Sequence, residues 1–132
     1  MKVGLAIHSL LTSNGAVQAL ISGRVYPEIA PEGVALPYIV YSVRSNQPSN
    51  NKRSTPVDEA QVEIFSVDNN YSDANDLADK VRAALDRKNI SVSVSEGSID
   101  VQSITYDNEV TEVSPDRKVY ASVQDYTFRI NR

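Results

Sequence analysis

Apolar positions along this chain recur at two different periods, and the change from one to the other outlines the elements. Residues 3–22 place Val3, Ile7, Leu10, Leu11, Val17, Leu20 and Ile21 at helical spacing, with Ser13-Asn14-Gly15 breaking the run. Such a break suits a helix stop followed by a fresh cap, so two short helices are predicted, as a hairpin or a kinked pair. Gly23 stands where a helix C-terminus favours a residue at positive φ. From 69 to 88 the period of 3.6 is clearest, with Ala74, Leu77, Ala78, Val81, Ala84 and Leu85 on one face and Asp76, Lys80, Arg82, Asp86 and Arg87 away from its centre. Asn70 or Ser72 is placed to cap its start, and Arg87-Lys88 close its end in the sense that the helix dipole favours.

Elsewhere the period is two. Tyr38 to Arg44 and Ala60 to Val67 are rich in β-branched and aromatic residues, and in the second Ala60, Val62 and Ile64 alternate with Gln61 and Glu63. A short strand is predicted over 90–94 and two longer ones over 99–106 and 119–130. Three prolines between Val25 and Pro37 make that stretch an ordered, non-helical crossover. Residues 45–56 are polar throughout and too long for a tight hairpin, which predicts a mobile or binding loop, and 107–118 read as a charged connection. Together these elements predict one domain spanning 1–132, of class α+β. Its antiparallel sheet of about four strands would pack against one long amphipathic helix, with short helices at the N-terminus.

Composition narrows the function classes. A chain of 132 residues can bury a core without metal or disulfide staples. The lack of cysteine excludes disulfides, thiolate catalysis and cysteine-based zinc or iron–sulfur sites, and fits a reducing cytoplasm. Polar residues interrupt the first eleven positions, which therefore read as a mature helix and not a signal peptide. No stretch approaches the ~20 apolar residues that a spanning helix requires, so the sequence predicts a soluble protein without a membrane partner. With 17 acidic and 13 basic side chains the net charge is -4, which gives no general attraction to nucleic acid phosphates.

Candidate chemistry is sparse. His8 is the single histidine, on a helix whose nearest hydroxyl is Ser9, and it reads as a helix-surface or core-edge residue. Asp68, Asn70, Ser72 and Asp79 fall at positions 1, 3, 5 and 12 of a calcium-loop spacing, but Asp73 takes the place of the glycine and Asp79 that of the bidentate glutamate. Helix capping explains the same residues without a metal. None of the five glycines stands in a phosphate-loop pattern. Asp58-Glu59 and the pair Glu109 and Glu112 read as solvated carboxylates, and Lys52-Arg53 is too small a basic cluster for nucleic acid. The sequence thus calls for no catalytic residue, metal or cofactor. Tyrosine is in excess, seven against two phenylalanines, and its phenols suit either core packing or subunit contact.

Val25-Tyr26-Pro27, Ala30-Pro31 and Ala35-Leu36-Pro37-Tyr38-Ile39-Val40-Tyr41, followed by Ala60 to Phe65, Asp76 to Leu85 and Val119 to Ile130, resemble a family of small phage proteins. These are tail-completion or tail-to-head joining proteins of long-tailed phages, and the likeness runs over nearly the whole chain. It implies a non-enzymatic virion protein assembled in the host cytoplasm and placed at the neck, as a homo-oligomeric ring of six through which DNA passes. The implied partners are the tail tube protein and head-side connector or stopper proteins. The long polar loop departs from the family pattern. Ring closure needs two different patches per copy. The loop's Asn46, Gln47, Asn50, Lys52 and Arg53 and the charged connection's Glu109, Glu112 and Arg117 are the residues expected to reach neighbours. Two other readings compete: a small hydrolase, which would need an acid or histidine site, and a monomeric α+β binding or regulatory domain.

Overall fold

The computed structural model describes residues 2–48, 57–86, 90–94, 97–115 and 118–131. Helices α1 (Lys2–Thr12) and α2 (Gly15–Ile21) come first, then strands β1 (Val25–Pro27), β2 (Tyr38–Pro48) and β3 (Val57–Asp68). Helix α3 (Tyr71–Leu85) and strands β4 (Ile90–Val94), β5 (Gly97–Val113) and β6 (Tyr120–Asn131) follow. The strands form a single sheet in the order β1-β2-β3-β6-β5-β4. β1 runs parallel to β2, and every other neighbouring pair is antiparallel.

This corrects the predicted class. The chain is mostly β, its sheet is mixed and larger than the four antiparallel strands expected, and three short helices, not one long one, cover it. The 25–37 crossover begins with a strand because Pro27 is its last residue and lies at the sheet edge, where a missing N–H costs no ladder bond. The charged connection is largely strand as well. β5 continues to Val113 because its backbone finds β6 in register, from Asn108 opposite Asp125 to Val113 opposite Tyr120. Likewise β2 continues to Pro48, opposite Asp58, so only 49–56 of the polar loop lie outside the described residues.

The helix boundaries follow local chemistry. Asn14 caps α2 by accepting from the Val17 amide at 3.1 Å, and Ser22 closes it in the left-handed conformation at φ 50°, followed by Gly23 at φ 81°. Asn70 caps α3 by accepting from the Asp73 amide at 2.8 Å. That helix ends at Leu85, where Asp86 turns extended at φ -62° and ψ 131°. His8 is an exposed position of α1.

Alternation sorts the sheet faces. Ile39, Ile64, Tyr126, Phe128 and Ile104 are buried under the helix layer, whose own contribution includes Ile7, Leu11, Val17, Leu77, Val81 and Leu85. Gly4 of α1 lies over the Tyr41 ring, and α1 also touches β1, β4 and β5. β1 and β4 are the two margins of the sheet, and an 11-residue helix is only about 16 Å long. A flat sheet of six strands spans about 24 Å between its outer strands, so both margins curl toward α1.

Candidate assembly surface

The predicted contact residues occupy two distant places. Asn46 and Gln47 are exposed near the end of β2, and Glu109 and Glu112 are exposed in the second half of β5. Asn50, Lys52, Arg53 and Arg117 lie outside the described residues. Two strands, β3 and β6, separate the visible pairs, about 14 Å across the sheet. They also differ in height. Gln47 is level with Glu59, Arg129 and Ser103, whereas Glu109 is level with Gln124, Ile64 and Tyr41. Six residues of β5 separate the two levels, about 20 Å along the strand. The structure therefore places the two groups at opposite corners of one sheet.

Each corner is built from the inside. At the β5 corner Gln124 is fully buried and its Nε2 donates to the Ala78 carbonyl of α3 at 3.0 Å and to Glu109 Oε1 at 2.8 Å. Its Oε1 accepts from the Tyr126 hydroxyl at 3.0 Å, and the Ser122 hydroxyl reaches Glu109 Oε1 at 3.3 Å. Burial, then the nearby Asp86 carboxylate, pushes the Tyr126 phenol far above its ordinary value, so it stays a neutral donor. The Arg82 guanidinium lies 3.8 Å over the Tyr106 ring and 3.6 Å from Asp86, whose Oδ1 accepts from the Tyr106 amide at 3.3 Å. Burial first, and Glu109 second, raise the Tyr106 phenol too. Glu109 is thus a fixed, outward acid on a buried amide support.

At the β2 corner Arg44 is exposed and pairs with Glu63 of β3. Glu28, in the left-handed conformation at φ 63°, accepts from the Ser42 hydroxyl at 2.8 Å and from the Val43 amide at 3.3 Å. Sequence reasoning missed Glu28, Asp86 and Gln124, because their partners come from remote segments. The tyrosines were legible only as a class. Tyr26 meets Tyr38, Tyr71 meets Tyr120 and Tyr106 meets Tyr126 edge to face at 6.3, 6.5 and 5.8 Å, and Tyr41 is buried. Each of the seven thus has a packing partner within the chain or is buried, and Tyr71 stays 60% exposed. On the open sheet face Val40, Phe65, Val123 and Val110 lie in one row, and a shallow depression of about 270 Å³ is bordered there by Ile29, which is 80% exposed.

Comparison with known proteins decides which class this surface belongs to. The model of the family "Tail completion protein gp17" matches residues 5–131. The chain belongs to that family. It is accordingly a structural protein of the phage virion tail. Among solved structures it is similar to a chain of "Virion of native gene transfer agent (GTA) particle", at TM-score 0.74 and 13% identity over 96% of this chain and 92% of that one. A second solved structure matches at TM-score 0.56 and 12% identity, over 100% of this chain and 97% of that chain. At those identities the likeness is one of fold. A search of curated protein sequences finds no match. In this tail completion family member, of the residues spaced like a calcium loop, Asn70 caps α3 and Asp68 accepts from the Asn69 amide in the turn before it.

Proposed function

We propose that this family member is a non-enzymatic subunit of a homo-oligomeric ring, six-membered as the family resemblance implies, which sits at the neck. There it completes the tail and joins it to the head. The observation that carries the reading is the pair of separated corners, one acidic at Glu109 and Glu112, one polar at Asn46 and Gln47 beside the Arg44–Glu63 ion pair. A closed ring requires two different patches per copy, since one self-complementary patch gives only a two-fold dimer. Family membership and the fold likeness to a chain of a phage-like particle support the tail setting. The tail tube protein on one side and the head-side connector or stopper on the other are the partners, and DNA passes through the opening without specific binding.

Light scattering on the purified chain tests the ring. A mass near six copies is expected, and a single copy at every concentration up to hundreds of micromolar would overturn it. Immunogold labelling of particles tests the position: label at the head–tail junction is expected, and label confined to the distal tail end would refute the neck assignment.

A further inference from the structure

Pleat alternation sends every second side chain of the sheet away from the helices, and that outer face divides in two. Toward one end it is polar: Arg44 pairs with Glu63, Arg129 pairs with Glu59, and the Thr127 hydroxyl reaches Gln61 and Asp107. Toward the other it is apolar: Val40, Phe65, Val123 and Val110 make one row, and Tyr38, Val67 and Ala121 make the next, ended by Glu112. This half is not flat. Ile29, after β1, walls one side, and Pro115 and Val119, in the hairpin after β5, wall the other. Two depressions of about 270 and 320 Å³ lie between the walls and share Tyr38 and Val67. They form one shallow groove running obliquely across β2, β3, β6 and β5. Two exposed apolar residues, Ile29 at 80% and Val113 at 48%, stand at its opposite rims.

Each end of the groove carries an acid. Glu28 lines the first depression and Glu112 the second, and among the described residues no basic side chain lines either. Glu28 accepts from the Ser42 hydroxyl and the Val43 amide, neutral donors that leave its charge in place, and Arg44, two residues beyond Ser42, is taken by Glu63. No ion pair among the described residues involves Glu28 or Glu112. We infer that this groove receives an extended arm of another virion protein, with apolar side chains in its middle and a basic residue toward each end.

Size, shape and charge choose that occupant. Glu28 is level with Ser42 beyond the outer side of β2, and Glu112 is level with Tyr38 on β5. Their separation is roughly 23 Å on the diagonal, which about seven extended residues span. A strip of that length and about 10 Å width offers roughly 230 Å², against about 800 Å² per partner in a standard interface, so it suits an arm and not the face of a second subunit. The walls at Ile29 and Pro115 would also hold a flat surface off the floor. This chain supplies no such arm from residues 49–56, its longest segment outside the described structure, which contain no leucine, isoleucine, valine, methionine or aromatic residue. Acids at both ends favour a basic partner and repel an acidic one. Glu109 faces the helix side, where Gln124 holds it, so a ring neighbour at that corner and an arm on the outer face take different sides of β5.

A random library of short peptides, panned on the whole purified chain, tests the groove. The enriched sequences should share two apolar residues bracketed by lysine or arginine. The tightest of them, synthesised with a fluorescent label, should bind at least about tenfold more weakly to Ile29→Ser with Val113→Ser, and likewise to Glu28→Gln with Glu112→Gln, with circular dichroism unchanged. All four positions are exposed, and glutamine at 28 keeps an acceptor for the Val43 amide. If the glutamine pair fails to fold, added salt replaces it, and an affinity indifferent to salt counts as equal binding. Enrichment of acidic or wholly polar peptides, no enrichment, or equal binding to either variant pair would overturn the proposal. Loss of self-association by Ile29→Ser with Val113→Ser would put a second copy in the groove and overturn it too. Peptide binding is read on one copy or on an assembly alike, so a chain that forms no ring leaves the arm standing.

Discussion

Replacing Gln124 by leucine nearly keeps the volume of the side chain while removing three hydrogen bonds, to the Ala78 carbonyl, to Glu109 and from the Tyr126 hydroxyl. Two of the groups left behind, the Ala78 carbonyl and the Tyr126 hydroxyl, are buried, and an unsatisfied buried group costs about 1 to 3 kcal/mol. We expect Gln124→Leu to lower unfolding stability by that amount and Tyr126→Phe, which loses one bond, by about 1 kcal/mol. Urea midpoints check both, and equal midpoints for Gln124→Leu and the unmodified chain would show that the amide holds nothing. The same neighbourhood sets an alkaline limit. Burial foremost, with Asp86 at Tyr126, Glu109 at Tyr106 and Glu28 at Tyr41, raises three phenols above 10.0. The unfolded chain loses those protons from about pH 10 while the folded one keeps them, so stability is fully present below about pH 10 and falls as pH rises past it. Midpoints measured from about pH 8 to pH 11.5 should show that fall, less steeply in Tyr126→Phe.

Helix α3 presents Leu77 and Leu85, 1% and 0% exposed, to the sheet. Leu77→Ala or Leu85→Ala should cost about 2 to 5 kcal/mol, the range for a buried leucine, and unchanged denaturation midpoints in both would deny the face a core role. The segment 49–56 joins β2 to β3 and contains no apolar anchor. Shortening it should leave far-ultraviolet circular dichroism unchanged and lower the yield of infectious particles; a normal yield would remove the segment from assembly. α3 was legible because Ala74, Leu77, Ala78, Val81, Ala84 and Leu85 fall on one face at a single period. β5 beyond Tyr106 was not. Its backbone is satisfied by β6 and not by burial, so Asp107, Asn108, Glu109 and Glu112 gave the segment the composition of a loop. Glu109 and Glu112 could be read as exposed acids, but their distance from Asn46 and Gln47 depends on strand order, which arises from contacts remote in sequence. Val25-Tyr26-Pro27 was too short and too proline-rich to register as a strand before its parallel partner was in view.

A net charge of -4 per copy makes a ring of any size acidic overall and gives no general attraction to phosphates. Weak or undetectable binding to duplex DNA is expected at physiological salt. An anisotropy titration that found submicromolar affinity falling steeply with added salt would overturn that and revive a nucleic-acid role. At the same scale, α1 rests on β1 and β2 on one side and on β4 and β5 on the other. Its contacts with β4 and β5 therefore close a loop of some eighty residues or more, the kind of distant contact that forms late in folding. During synthesis, at about 5 to 20 residues per second, α1 leaves the ribosome many seconds before β4 and β5 exist to receive it. Val3, Ala6, Ile7 and Leu11 spend that interval without their final cover, so the nascent chain is most prone to aggregation just before its second half emerges.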